Sequence, residues 1–527
     1  PFDIELLGSD GSPEVTPDDG ALAKSDGTGS QVDGEPVGTT YYGFNGAQAV
    51  NEAGEVAGTA IIRDSGGGLS HALVVGNPPQ VLVSSTTDLS GTGLPVGTTP
   101  LNFRDPLINS DGHVAYIGDI QGAGFGSFNR RCIFTNVPDG VLKLVMRQTA
   151  PDPTGAANFK NPLAVSLAGQ SVIFLAQTDD NQTGIYAWDN VNGVTLLART
   201  GDSVLAGGGN KTILQIIGLQ TNAASSGQSE EHVKTAGDDV RINVMLKFTD
   251  ATQGVLKGGF NQATSTYSGF ASTYVENGRL ADAYAGANAV IPNARMRSFV
   301  SPGWDQGGTY YGLVSYMLAN IGGVNSYSDC GVFVDLNPGE LVMQVREGEA
   351  APGTGGLVFK DFYDVMVGAG DWEFLVKADI RGAGVTGNDN EGLWAKHATN
   401  GLQLVAREGA EPPGVTGGQF RLFLKYALPG NGSPFFGATL VTGVGGVTAA
   451  NDAGMWAMNS AGELKKVIQE GDVINVGGLD RTVQTILSLE NNSSGAIGSR
   501  IYTSDGSMKL LVKFTDGLQA MVDVAVP

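Results

Sequence analysis

The stretch GLWAKHATNGLQLVAREGAEPPG, Gly392 to Gly414, decides the fold. It opens with Gly, an aliphatic residue and an aromatic. It turns at Asn400-Gly401 and returns as an aliphatic run into Arg-Glu-Gly. Two short hydrophobic runs joined by Asn-Gly predict a β-hairpin. The same cassette reads GVFVDLNPGELVMQVREGEAAPG from Gly331, GMWAMNSAGELKKVIQEGD from Gly454 and GIYAWDNVNGVTLLARTGD from Gly184. The copies starting at Gly331, Gly392 and Gly454 are almost evenly spaced. Weaker copies run from Cys132 to Pro151 and from His71 to Val83, and a seventh is expected from Gly269 to Pro292.

A second element, Asn-x-x-Gly-x-Val-Ala, precedes the cassette as NEAGEVAG at Asn51 and NSDGHVAY at Asn109. It reads as a tight turn feeding a strand. A repeat of about 60 residues then holds about four strands, the content of one propeller blade. The halves also resemble each other. DIQGAGFG at Asp119 returns as DIRGAGVTG at Asp379, TYYG at Thr40 returns at Thr309, and KFTD at Lys247 returns at Lys513. A doubled block of four repeats, residues 38–260 and 261–527, gives eight.

The expected fold is therefore all-β, a single eight-bladed β-propeller. Two four-bladed propellers are the alternative, and an open array exchanging strands between molecules is a third. Met508 to Val526 supplies only the first strands of a repeat. An N-terminal strand within residues 1–14 is expected to complete that blade, with Ile4 to Leu7 in the place of Leu402 to Val405. Closure in cis hides two sheet edges, and closure in trans polymerises the chain.

Composition agrees with many short strands. The 527 residues include 79 Gly and 22 Pro, only 16% are charged, and 41% are hydrophobic. The 53 acidic and 31 basic residues leave a net charge of −22, which repels phosphate and argues against a nucleic-acid partner. No apolar run is long enough for a helix to cross a bilayer, so no helical membrane span is expected. A chain beginning at Pro1 and not at Met is expected for a matured, exported protein.

Together the turn element and the cassette resemble those of the bacterial surface proteins called choice-of-anchor tandem repeat proteins of the NxxGxxAF type. The resemblance runs from about Asn51 to Val526. Gly58 and Tyr116 stand where that family has Phe, and VGAGDWEFLVKADI from Val367 lacks the Asn. The resemblance implies export and a cell-surface location, and it implies no reaction.

Chemical motifs are sparse. No Gly-x-Ser-x-Gly occurs, and Ser229 near His232 lies in a Gly- and Ser-rich stretch that reads as a loop. The four histidines form no His-x-His or His-Glu-x-x-His, and His113 and His397 read as packing or surface residues. Calcium is the metal the sequence accommodates best, with Asp179, Asp180, Asp389 and Glu391 as candidate ligands, although such residues are also ordinary turn formers. The glycine runs at Gly122 and Gly382 lack a following helical pattern and read as turns.

Trp188, Trp394 and Trp456 share the cassette position to within one or two residues and are expected to pack blade against blade. Trp304, in SPGWDQGG, breaks the repeat and is the candidate binding contact. The longest irregular insertions are residues 222–239 and 261–273. Cys132 and Cys330 sit three blades apart, too far for a disulfide, and are expected to be buried thiols.

The functional expectation is a secreted, non-enzymatic structural or adhesive propeller, acting by self-association or polysaccharide contact, with no cofactor unless calcium. A polysaccharide lyase or hydrolase and a monomeric glycan-binding propeller are the alternatives.

Overall fold

In the computed structural model the chain builds eight antiparallel sheets set in a ring, an eight-bladed β-propeller. The structure describes residues 14–218, 233–236, 239–275, 294–304, 310–337, 340–430, 432–459, 461–476, 478–489, 501–503 and 505–525. Blade 1 consists of Thr40–Val50, Val56–Arg63, Leu69–Gly76 and Pro79–Ser84, hydrogen-bonded in that order, here strands a to d. Blades 2, 3, 5, 6 and 7 repeat the pattern over residues 99–147, 159–199, 296–346, 358–407 and 420–469. The a strands of adjacent blades pack on one another, as Thr40–Val50 does on Thr99–Ile108, so they form the inner wall of the ring.

Blade 8 joins both chain ends. Leu479–Ile486, Met508–Phe514 and Leu518–Ala525 are its first three strands, and Glu14–Lys24 is its fourth. Glu14 lies opposite Ala525 and Lys24 opposite Leu518, with an irregularity between Pro17 and Leu22. Pro is tolerated there because a d strand is an edge and needs no donor on its outer side. The closing strand thus lies C-terminal to Ile4–Leu7, which are outside the described residues.

Blade 4 departs from the repeat. Its strands are Gly209–Gly218, Asp239–Phe248, Gln253–Asn261 and Ala271–Val275. Ser203–Ala206 pairs with the first strand and meets the fourth at Leu205–Ala271, so the sheet curls back on itself. Register places the cassette glycine of this blade at Gly254, not at Gly269. The segment 261–273, expected as an irregular insertion, includes the paired strand Thr266–Tyr267 and the start of strand d. Most of 222–239 and all of 276–292 lie outside the described residues. The sequence boundary between halves, at 260, falls inside this c–d hairpin.

The cassette glycine has a packing role. A Cβ on Gly392 would lie 2.7 Å from the Trp394 ring, and one on Gly454 would lie 2.9 Å from the Trp456 ring. Gly184 stands in the same relation to Tyr186, at 2.7 Å. The aromatic two residues on folds back across the glycine, filling the space between blades. Where the position carries Ala, at Ala72 and Ala520, the residue two on is Val74 or Val522. In these five blades the bulk at the two positions is complementary, as close packing requires.

The aromatics also clamp the connectors. Trp394 Nε1 donates to the Pro352 carbonyl at 3.1 Å, and Trp456 Nε1 to the Pro413 carbonyl at 3.1 Å. Both carbonyls lie in the segment that leads into the same blade. Trp188 is buried but sits two residues beyond this position, which Tyr186 occupies in blade 3.

Candidate binding face

The d-to-a connectors and the b–c loops emerge at the same end of the ring. Each of the eight a strands carries a β-bulge at one equivalent register, with one extra residue near this end. The extra residues are Tyr42, Leu101, Lys160, Leu214, Arg297, Lys360, Arg421 and Gln484. Four of the eight are basic and none is acidic, in a chain with 53 acidic residues against 31 basic. A bulge turns its extra side chain out of the ladder. Lys160, Leu214, Arg297, Lys360, Arg421 and Gln484 are accordingly exposed. These eight positions are thus more cationic than the molecule as a whole.

Blade 2 concentrates that charge. Asp119 is 1% exposed, and three guanidiniums converge on its carboxylate. Arg104 lies 3.3 Å away, Arg131 3.2 Å and Arg130 3.7 Å. Asn102 donates to the same carboxylate at 2.9 Å and accepts the Asp119 backbone N–H at 2.9 Å. Burial alone raises the Asp119 carboxyl, but Asn102, Arg131 and Arg104 together hold it below the usual carboxylate range.

A second feature of this end recurs around the ring. The residue just after strand d donates its N–H to a carbonyl at the start of strand c, and its side chain accepts an N–H in return. Ser85 does so with His71, Gln148 with Arg131, Thr200 with Thr183 and Glu408 with Glu391. Glu347 donates to the Cys330 carbonyl and accepts from the Asp329 N–H at 3.1 Å, and Glu470 donates to Ala453. Burial pushes the carboxyls of Glu408 and Glu470 up to about 7. Burial also raises Glu347, with Asp329 adding to the shift and the Arg381 ion pair at 2.8 Å opposing it.

The residues singled out from sequence fall elsewhere. Trp304 ends strand Met296–Trp304 and is 6% exposed, so it is a core residue and not a loop contact. Its ring and that of Tyr311 lie beneath Lys257, at 4.5 and 4.1 Å from the ammonium. The break in the repeat at SPGW is an irregularity within the strand, between Val300 and Gly303.

The calcium candidates are occupied by turn hydrogen bonds. Asp179 accepts from Asn158, Asp180 from Thr178 and Gln182, and Asp389 from Thr386 and Arg407. Glu391 pairs with Lys377 at 2.9 Å. They are not brought together, and among the described residues no three His, Cys, Asp or Glu side chains converge on a possible metal position. Cys132 and Cys330 are buried free thiols. Ser229 and His232 lie outside the described residues. Among the described residues no helix is long and apolar enough to cross a membrane.

Sequence reading missed the arginine cluster, because Arg104 and Asp119 stand on different strands and form no local motif. The signal was present in Arg130-Arg131, the only adjacent basic pair outside Lys465-Lys466.

A model of a family of unknown function, DUF7453, matches residues 15–256 and 279–527. No curated protein matches the sequence. Among solved structures, the chain is similar to the β-propeller domain of the Trilobed protease from Pyrococcus furiosus. The identity is 9% and the TM-score 0.34, over 82% of this chain and 99% of that one. It is also similar to the WD40 domain of SCAP from fission yeast, at 7% identity and a TM-score of 0.37, over 98% of each chain.

Proposed function

The chain belongs to the DUF7453 family, and from that premise we propose that it is an exported, non-enzymatic propeller, a structural or adhesive component of the cell surface or extracellular matrix. One observation carries the reading. Carboxyls raised toward neutrality are candidate acid–base groups, and those raised to about 7 among the described residues are Glu347, Glu408 and Glu470. Ser85, Gln148 and Thr200 hold the equivalent place in other blades and make the same bonds to strand c. A hydroxyl or an amide does that work as well as a carboxyl, so the position serves hydrogen bonding and not proton transfer. The ring then offers rigid blades and a patterned loop face, which suits recognition and assembly.

The test is a pair of measurements on the native protein. Electron microscopy and sedimentation are expected to show filaments, sheets or binding to isolated cell envelope. Incubation with acidic and neutral polysaccharides is expected to release no new reducing or unsaturated ends. Release of such ends, abolished in Glu347→Gln or Glu408→Gln, would overturn the non-enzymatic reading.

A further inference from the structure

We propose that the Arg104, Arg130 and Arg131 cluster of blade 2 is a binding site for one small oxyanion, a sulfate, phosphate or carboxylate group. The site goes beyond the structural reading above and stands whether or not the ring assembles.

Charge balance is the first argument. Among the described residues three guanidiniums face one carboxylate, Asp119, which leaves a local surplus of two positive charges. Their side chains remain 37%, 38% and 29% exposed, so the surplus is open to solvent. Most of their N–H groups are uncommitted among the described residues: Arg104 donates to Asp119, and Arg131 to Asp119 and Asn161. The forked guanidinium geometry matches an oxyanion.

The repeat supplies an internal comparison. Blade 6 carries Asp379 at the position of Asp119, again in an Asp-Ile pair one residue before the end of strand b. There Asn390 and Glu391 hold the places of Arg130 and Arg131, and the a strand offers Tyr363, two residues after Asp361 as Arg104 is two after Asn102. Tyr363 donates its hydroxyl to Asp379 at 2.8 Å, and Lys360 lies 3.4 Å away. One hydroxyl and one cation thus suffice to satisfy this buried carboxylate. The blade needs no arginine there, and blade 2 has three. Their number is explained by something they hold besides Asp119.

The ligand is small because of the rest of the chain. A net charge of −22 opposes the approach of a long polyanion, whose further charges meet the acidic surface. A single oxyanion feels mainly the three near cations.

The experiment titrates the whole protein with sodium sulfate, sodium phosphate and sodium acetate, each against sodium chloride at equal ionic strength. Unfolding midpoint and heat of binding are both followed. Wild type is expected to show a saturable response to sulfate or phosphate, and a dominant acetate response instead assigns the site to carboxylates. Arg104→Gln and Arg130→Gln leave Arg131 on Asp119, so both are expected to fold, and each weakens the apparent affinity about tenfold. Lys465→Gln, in strand Leu464–Gln469 of blade 7, leaves it unchanged. A response no different from chloride, one that never saturates, or one unaltered in the two arginine variants overturns the proposal.

Discussion

Asn51 donates its side-chain amide to the backbone carbonyl of Asn109 at 3.0 Å, and Asn109 donates its own amide to the carbonyl of Gly169 at 2.7 Å. The three residues occupy the a–b turns of blades 1, 2 and 3. Each Asn oxygen meanwhile accepts two N–H groups of its own turn, those of Ala53 and Glu55 or of Asp111 and His113. An amide is acceptor within its turn and donor to the next blade at once, which a carboxylate cannot be.

Substitution should separate the two roles. Asn109→Ala removes both and is expected to cost about 2–4 kcal/mol, whereas Asn109→Asp keeps the acceptor and costs about 1. Denaturant unfolding midpoints measure the difference. Equal losses for the two variants would show that the turn acceptor contributes nothing, and an unchanged midpoint in Asn109→Asp would show the same of the inter-blade bond.

The glycine–aromatic pairing predicts a conditional penalty. Gly392→Ala should destabilise by about 1–3 kcal/mol, since the new methyl meets the Trp394 ring. In the double variant Gly392→Ala, Trp394→Val, which copies Ala72 and Val74, the alanine should cost little or nothing. A double-mutant cycle reads the coupling, and additive costs would refute the packing account. Gly401→Ala fails for another reason: nothing crowds that site, but its φ is +74°.

Glu408 and Glu470 titrate near 7 in the folded ring against 4.5 for a free Glu carboxyl. The folded state therefore binds more protons between those values, and stability falls as pH rises from about 4.5 to about 7. The unfolding midpoint should rise as pH is lowered from 8 to 5. Glu408→Gln should stabilise at pH 8 and flatten part of this slope. A midpoint independent of pH across that window would remove the basis for the prediction.

Ring closure rests on Glu14–Lys24. Deleting residues 1–24 strips the outer strand from Leu518–Ala525 and exposes a hydrophobic edge. Lower melting temperature with aggregation is expected by light scattering. A monomeric, equally stable truncation would show that the strand is dispensable.

Cys132 and Cys330 should resist alkylation. Burial pushes the Cys132 thiol up to about 12 and raises Cys330 as well, with Asp361 adding to the shift. At pH 8 neither presents appreciable thiolate. Thiol titration should find no reactive group in the native protein and two after denaturation. Rapid labelling of the native form would contradict their burial.

The repeat count, the four-strand content and the hairpins were legible in the chain, because turn chemistry and short hydrophobic runs are local. Asn-Gly at 400–401 and the Asn-x-x-Gly turns each write their own geometry into a few residues. The resemblance between Asp119 and Asp379 was legible too. Its meaning was not, since it depends on which side chains stand beside each carboxylate.

Sequence by itself therefore pointed to the architecture, eight four-stranded blades in one ring, and left open whether the N-terminal strand closes it in cis or in trans. Tertiary structure alone decided which strand closes the ring, Glu14–Lys24, because its pairing register depends on a partner strand at the opposite end of the chain. It decided that Trp304 is core, because burial is set by neighbouring blades. It also gathered Arg104, Arg130 and Arg131 on Asp119, since electrostatic contact acts through space and is blind to spacing along the chain.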